Sequence, residues 1–251
     1  MVTFASFALF GGLFLLVASA VMAGIKVSAR RAHRQLDGTA PTPLAAWRPG
    51  TPRAAASGVI DYGPSGPQIA PLSGADCVWW QIEVIREPDR KSEERAGQEK
   101  LGVFSTSAWP AITDQTGLVL VDPQVLLRAQ GQGDSVPTER KLMFAQSDVP
   151  AYVPPDLVGP LRSYEKIGLD EIRLPAGREV FVSGSVQAGR AGPPVLAPAR
   201  RGVTIFTTDR REQVLTRRAD LISAGHLMTR AFALAGVAIV VLALGLLYLS
   251  S

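Results

Sequence analysis

A chain of 251 residues, 47% of them apolar, with 26 Lys and Arg against 22 Asp and Glu, has room for one modest domain beside any membrane segments. Its single cysteine excludes an internal disulfide, and two histidines far apart, His33 and His226, leave no zinc cluster of the usual Cys and His type. A formal charge of +4 makes nucleic acid an unfavoured partner, because many of the basic residues sit beside apolar runs where anionic lipid headgroups are the simpler counterpart.

The first element is an uncharged apolar run from Val2 to Ile25, residues 2–25. It is long enough to cross a hydrocarbon core of about 30 Å as a helix, which needs about 20 residues. Only Met1 precedes it, whereas Lys26, Arg30, Arg31 and Arg34 follow. A secretory signal peptide, suggested by Ala18-Ser19-Ala20, wants its basic residues ahead of the apolar core, so a retained membrane helix is the favoured reading.

Residues 26–57 read as a basic, Pro- and Ala-rich linker, semi-extended by prolines 41, 43, 49 and 52. Residues 58–208 read as a mainly β domain. Four short runs rich in β-branched and aromatic residues carry that reading: Gly58 to Tyr62, Val78 to Ile85, Leu118 to Val121 and Glu179 to Val186. Between them Arg86 to Lys100 is a charged hairpin excursion, and Ala129 to Pro160 and Gln187 to Arg200 are long loops without period. The Gly-rich turns suit a small barrel of OB-like type.

Residues 209–230 return to helical spacing, with Asp209 and Glu212 as a capping box and a basic amphipathic stripe. They lead into a second apolar run, 231–249. Arg217, Arg218 and Arg230 precede that run and only Ser250 and Ser251 follow. Both charge biases therefore place the middle domain in the cytosol and both termini outside a cell membrane crossed twice. The 21 arginines against five lysines match the usage of a GC-rich bacterial genome.

No Gly-x-Ser-x-Gly elbow, phosphate loop or His-Glu-x-x-His pair occurs. Gly131-Gln132-Gly133 lacks a third glycine and a preceding strand, so it reads as loop. Cys77 reads as a small buried hydrophobe. Asp114-Gln115-Thr116-Gly117 differs from the Asp-Thr-Gly of aspartic proteases and has no second copy to share a proton; it reads as a tight turn. No catalytic residue, metal or cofactor is expected. An enzyme using Asp61, Glu83, Asp114 or Glu165 is the competing reading, and an anionic lipid-binding module is a third.

The succession APLSGADCVWWQIEV from Ala70, ITDQTGLVLVDP from Ile112 and RSYEKIGLDEIRLPAGREVFVSGSV from Arg162, followed by a terminal apolar helix, resembles the GIDE, or "beside-a-membrane", domain of the mitochondrial RING ubiquitin ligase family. The matching positions are Cys77, Trp79 and Trp80; Asp114, Thr116, Gly117, Val119, Asp122 and Pro123; Tyr164 and Glu165; and Gly177 through Val182 to Gly184. They keep the family's order and cover roughly residues 54 to 250. The resemblance implies a β-rich domain between two membrane helices that recruits a protein partner, with those positions near the partner surface. A RING needs about eight Cys and His ligands, so ubiquitin transfer by this chain alone is not expected. The whole reading is a two-pass membrane protein whose cytosolic β-domain is a binding or scaffolding module.

Overall fold

The structure is a computed structural model, and it describes residues 2–88, 99–129, 138–143, 148–158, 165–189, 192–200 and 203–249. It divides into two compact units: one comprises 1–40 with 211–251, the other 41–210.

The chain opens with helix α1, Val2–Asp37. The middle unit then holds β1 (Ala54–Asp61), β2 (Gln68–Ile69), β3 (Asp76–Cys77), β4 (Trp79–Pro88), β5 (Glu99–Ser105), β6 (Ala111–Thr113), β7 (Leu118–Val121), α2 (Pro123–Ala129), β8 (Thr138–Met143), α3 (Pro155–Val158), β9 (Glu165–Leu174), β10 (Glu179–Gln187), β11 (Val195–Ala197) and β12 (Ile205–Thr207). Helix α4, Arg211–Leu249, follows.

Five of these strands close on themselves. β1 pairs with β6, β6 with β7, β7 with β11, β11 with β10, and β10 returns to β1 over Ala54↔Gly184 to Val59↔Glu179. The β7–β11 pairing is parallel; the others around the barrel are antiparallel. Alternation along each strand fills the interior: Val119 and Val121 from β7, and Val180, Val182 and Val186 from β10, meet Ile60, Ile112 and Leu196 there. β12 extends the same edge of β10 that β11 occupies.

A second sheet, in the order β5-β4-β9-β8, is antiparallel throughout. It is assembled from two excursions out of the barrel, one between β1 and β6 and one between β7 and β10. β4 joins the two cores because neighbouring side chains on a strand face opposite ways. Trp79 is buried in the barrel core, whereas Ile82 and Val84 meet Ile167 and Leu169 of β9 in a second core, closed by Val153 and Val158, with Trp80 packed against it.

The mainly β reading of the middle segment holds, and several boundaries shift. The basic part of the expected linker is helical: the stretch after Ile25 contains Arg, Ala, Gln and Leu, all strong helix formers, and no breaker before Gly38 and Pro41. β1 begins at Ala54, since small side chains suit its tight pairing with β10. What lies between is anchored, with Leu44 and Trp47 only 2% and 3% exposed in the barrel core. The expected loop 187–200 contains β11, and 129–160 contains β8 and α3. Gly131-Gln132-Gly133 and the middle of the charged excursion, 89–98, lie outside the described residues.

The amphipathic stretch and second apolar run form one helix, α4, paired with α1 in the terminal unit. They approach closely at a pair of glycines: a Cβ on Gly12 would stand 3.1 Å from the Gly236 oxygen and 2.7 Å from Val240. Ser19 Oγ donates to the Thr229 carbonyl at 3.1 Å. At the far end Arg211 donates to the Asp37 carbonyl at 3.0 Å, satisfying one of the acceptors that a helix C-terminus leaves open. Both helices are long and apolar enough to cross a membrane.

Candidate partner surface

The positions implied by the family resemblance fall mainly on three parts of the β unit. The first is the turn between β6 and β7. Asp114 Oδ1 accepts from the Thr116 amide at 2.7 Å, the Thr116 hydroxyl at 2.6 Å and the Gly117 amide at 2.9 Å. Its Oδ2 accepts from the Leu44 amide at 2.9 Å, and Thr116 Oγ1 accepts from Ala45 at 3.1 Å. Burial alone would raise the Asp114 pKa, but these donors win and hold it below the ordinary carboxylate value. The tight-turn reading fits, and the turn also holds the segment bearing Leu44 and Trp47 on the barrel.

The second part is the start of α2. Asp122 Oδ1 accepts from the Gln124 amide at 2.8 Å, and Pro123 takes the first helical position, where no amide is needed. Gly184 belongs to the barrel wall between β1 and β11. A Cβ there would lie 2.6 Å from the Ala197 oxygen and 2.8 Å from Leu196, so glycine is dictated by close approach.

The third part surrounds β3 and β4. Cys77 is fully buried and its Sγ lies 3.5 Å from the Gln68 carbonyl. Burial, then the negative charge of Glu171 and Asp76, pushes its thiol up to about 11, so it stays protonated and unreactive at neutral pH. Trp80 meets Phe104 edge-on at 6.0 Å and 83°. Tyr164 lies outside the described residues; of Glu165 only the backbone is described, pairing with Pro88. These motif positions therefore shape turns, a cap and cores, and none of the described ones is a free reactive group.

One residue of consequence was not singled out in the sequence: Glu171, wholly buried. Its register opposite Ile82 puts it on the face that Ile167 and Leu169 share. The carboxylate accepts from the Leu72 amide at 2.6 Å, and from the amide and hydroxyl of Ser73. Strict alternation through Ile167, Leu169 and Glu171 was the available signal, since it sets a charged residue on an apolar face. Its charge also acts on Tyr152, whose pKa is raised by burial and then by Glu171.

The carboxylates of the enzyme reading have separate structural engagements. Asp61 accepts from the Tyr62 amide at 2.7 Å, and Glu83 pairs with Lys100 at 3.0 Å. Among the described residues no three His, Cys, Asp or Glu side chains gather as a metal site. The outer wall of the barrel is different in character. Val59, Thr113 and Leu118 stand side by side across β1, β6 and β7, with Val59 38% and Leu118 40% exposed. Trp109, just before β6, is 39% exposed.

Compared with known families, curated proteins and solved structures, the chain has no match.

Proposed function

We propose that this chain is a GIDE-like, two-pass protein of a bacterial cell membrane, and that its OB-like barrel is a cytosolic binding or scaffolding module resembling the substrate-recruiting domain of membrane ubiquitin ligases. The observation that carries the membrane part is the outward apolar surface of the helix pair. Phe7, Phe10 and Phe14 on α1 and Leu234, Leu242 and Tyr248 on α4 are between 67% and 83% exposed. Apolar surface of that extent is strongly unfavourable in water and is covered at no cost by lipid. The flanking arginines support a cytosolic β unit with both termini outside.

The OB-like assignment is supported by connectivity: a β1-β6-β7 meander, a helix, then β10 and β11, closed by the parallel β7–β11 and antiparallel β10–β1 pairings. A binding role is favoured over catalysis because the described motif residues are engaged in turns, caps and cores, while Val59 and Leu118 leave apolar surface on the barrel's outer wall.

Two measurements test this. The full chain should remain in the membrane pellet after alkaline carbonate; release to the supernatant would remove the membrane reading. Affinity capture from mild detergent should enrich a protein partner that the V59E/L118E variant fails to enrich. Identical enrichment by both, or none by either, would end the proposal that this wall is a docking surface.

A further inference from the structure

We infer that the polar ends of α1 and α4 form a basic collar that gathers anionic phospholipid headgroups around the protein, an inference that rests on the membrane reading above. The collar arises from helix register. Gly12 meets Gly236, Ser19 reaches Thr229 and Arg211 reaches the end of α1. Carried between these points, the register sets Arg30 and Arg31 level with Arg218 and Arg217. Residues 26–37 and 211–230 together hold eight Lys and Arg against three Asp and Glu, a surplus of five positive charges.

The same register locates the collar relative to a bilayer. Ala231, where the apolar run of α4 starts, is level with Val17, whereas the apolar run of α1 continues to Ile25. Over that band, about 12 Å high at 1.5 Å per residue, α1 is apolar while α4 carries His226, Thr229 and Arg230. The headgroup layer, about 5–8 Å on each side of the hydrocarbon, takes up the outer part of that band next to Ile25, and Arg230, at the inner edge of the band, reaches it by extending along its helix. Arg30 and Arg31 begin about 8 Å past Ile25, within about one Debye length of the lipid phosphates and closer still when arginine side chains extend toward them.

Lipid is the occupant favoured over a nucleic acid. Arg30 and Arg31 on α1 and Arg217 and Arg218 on α4 lie at one level, as a planar charged surface requires, and residues 26–37 and 211–230 contain no Phe, Tyr or Trp on which bases could stack.

The test uses the full chain in nanodiscs of phosphatidylcholine with a minor fraction of phosphatidylglycerol, each lipid spin-labelled in turn to measure its retention at the protein. The expected result is several-fold preference for phosphatidylglycerol, falling toward none in about 1 M salt, where the Debye length is about 3 Å. The R30Q/R31Q/R217Q/R218Q variant should lose the preference, and the corresponding Arg→Lys variant should keep it. Equal preference in the Gln variant, or none in the unaltered chain, overturns the collar. So does an oligonucleotide that binds discs of neutral lipid while phosphatidylglycerol is not enriched. A chain that does not enter discs at all refutes the membrane reading instead, which separates the two failures.

Discussion

Ser73 and Glu171 stand 98 positions apart and share a hydrogen bond from hydroxyl to carboxylate. The carboxylate is fully buried, and removing a charge from water costs several kcal/mol unless hydrogen bonds compensate. Here the compensation comes from a turn: Leu72 and Ser73 present their amides to it while Gly74, at φ +68°, bends the chain past it. The turn before β3 is thereby fastened to the second sheet.

Replacing Glu171 by Ala should leave those partly buried donors without their acceptor. At about 1–3 kcal/mol for each such donor, the denaturant midpoint should fall clearly, and Glu171→Gln, which keeps one carbonyl acceptor, should fall less. Equal loss in the two variants would show that the cavity, not the hydrogen bonds, dominates.

Cys77 should resist alkylation in the native chain at pH 8 and react fully once unfolded. Burial and the neighbouring carboxylates raise its thiol to about 11, three units above that pH, so little thiolate forms. Rapid native labelling by iodoacetamide would contradict the buried assignment.

Asp114 predicts an acid-sensitive anchor. Its pKa is lower folded than unfolded, so its contribution is present above the unfolded carboxylate value and is lost as pH falls through the folded one. Unfolding midpoints measured downward from pH 5 should fall less steeply for Asp114→Ala than for the unaltered chain. At pH 7 the substitution should cost about 1–2 kcal/mol, the usual cost of losing a carboxylate that caps backbone amides. Near-parallel profiles for the two proteins would refute the role.

Gly184→Ala should be among the most damaging single changes in the barrel. The added methyl meets the Ala197 oxygen, which belongs to a strand held on both sides, so relief requires backbone movement. Overpacking of this kind costs about 1–3 kcal/mol. Gly192→Ala meets nothing within 4 Å and should leave the melting temperature nearly unchanged, a matched control for composition.

Much of this was legible in the chain because its signals are local. The β7 run and the turn before it announce themselves in Asp-Gln-Thr-Gly-Leu-Val-Leu-Val, and the two apolar runs need only hydropathy and length. β11 was not legible: Val195–Ala197 is three residues between prolines, and only long-range pairing with β7 and β10 makes it a strand. Trp47 was hidden the same way, inside a proline-rich stretch whose lack of period reads as linker. Its burial follows from Asp114 holding Leu44, a contact across 70 positions. For the motif positions, residue type was informative about turns and close approaches; which exposed wall they leave free emerged only from the register of β1, β6 and β7.

Barrel closure carries a consequence for synthesis. β1 must wait for β10, and Ala54 for Gly184, so the first strand leaves the ribosome roughly ten seconds before its partner at about 5–20 residues per second. The hairpin of β4 and β5 is complete well before β9 is made. During that interval α1 is already complete while the half-made sheets expose unpaired edges, the condition in which strands aggregate most readily. Under the membrane reading proposed above, a nascent chain tethered by its first helix is a natural client for chaperones that work at the membrane surface.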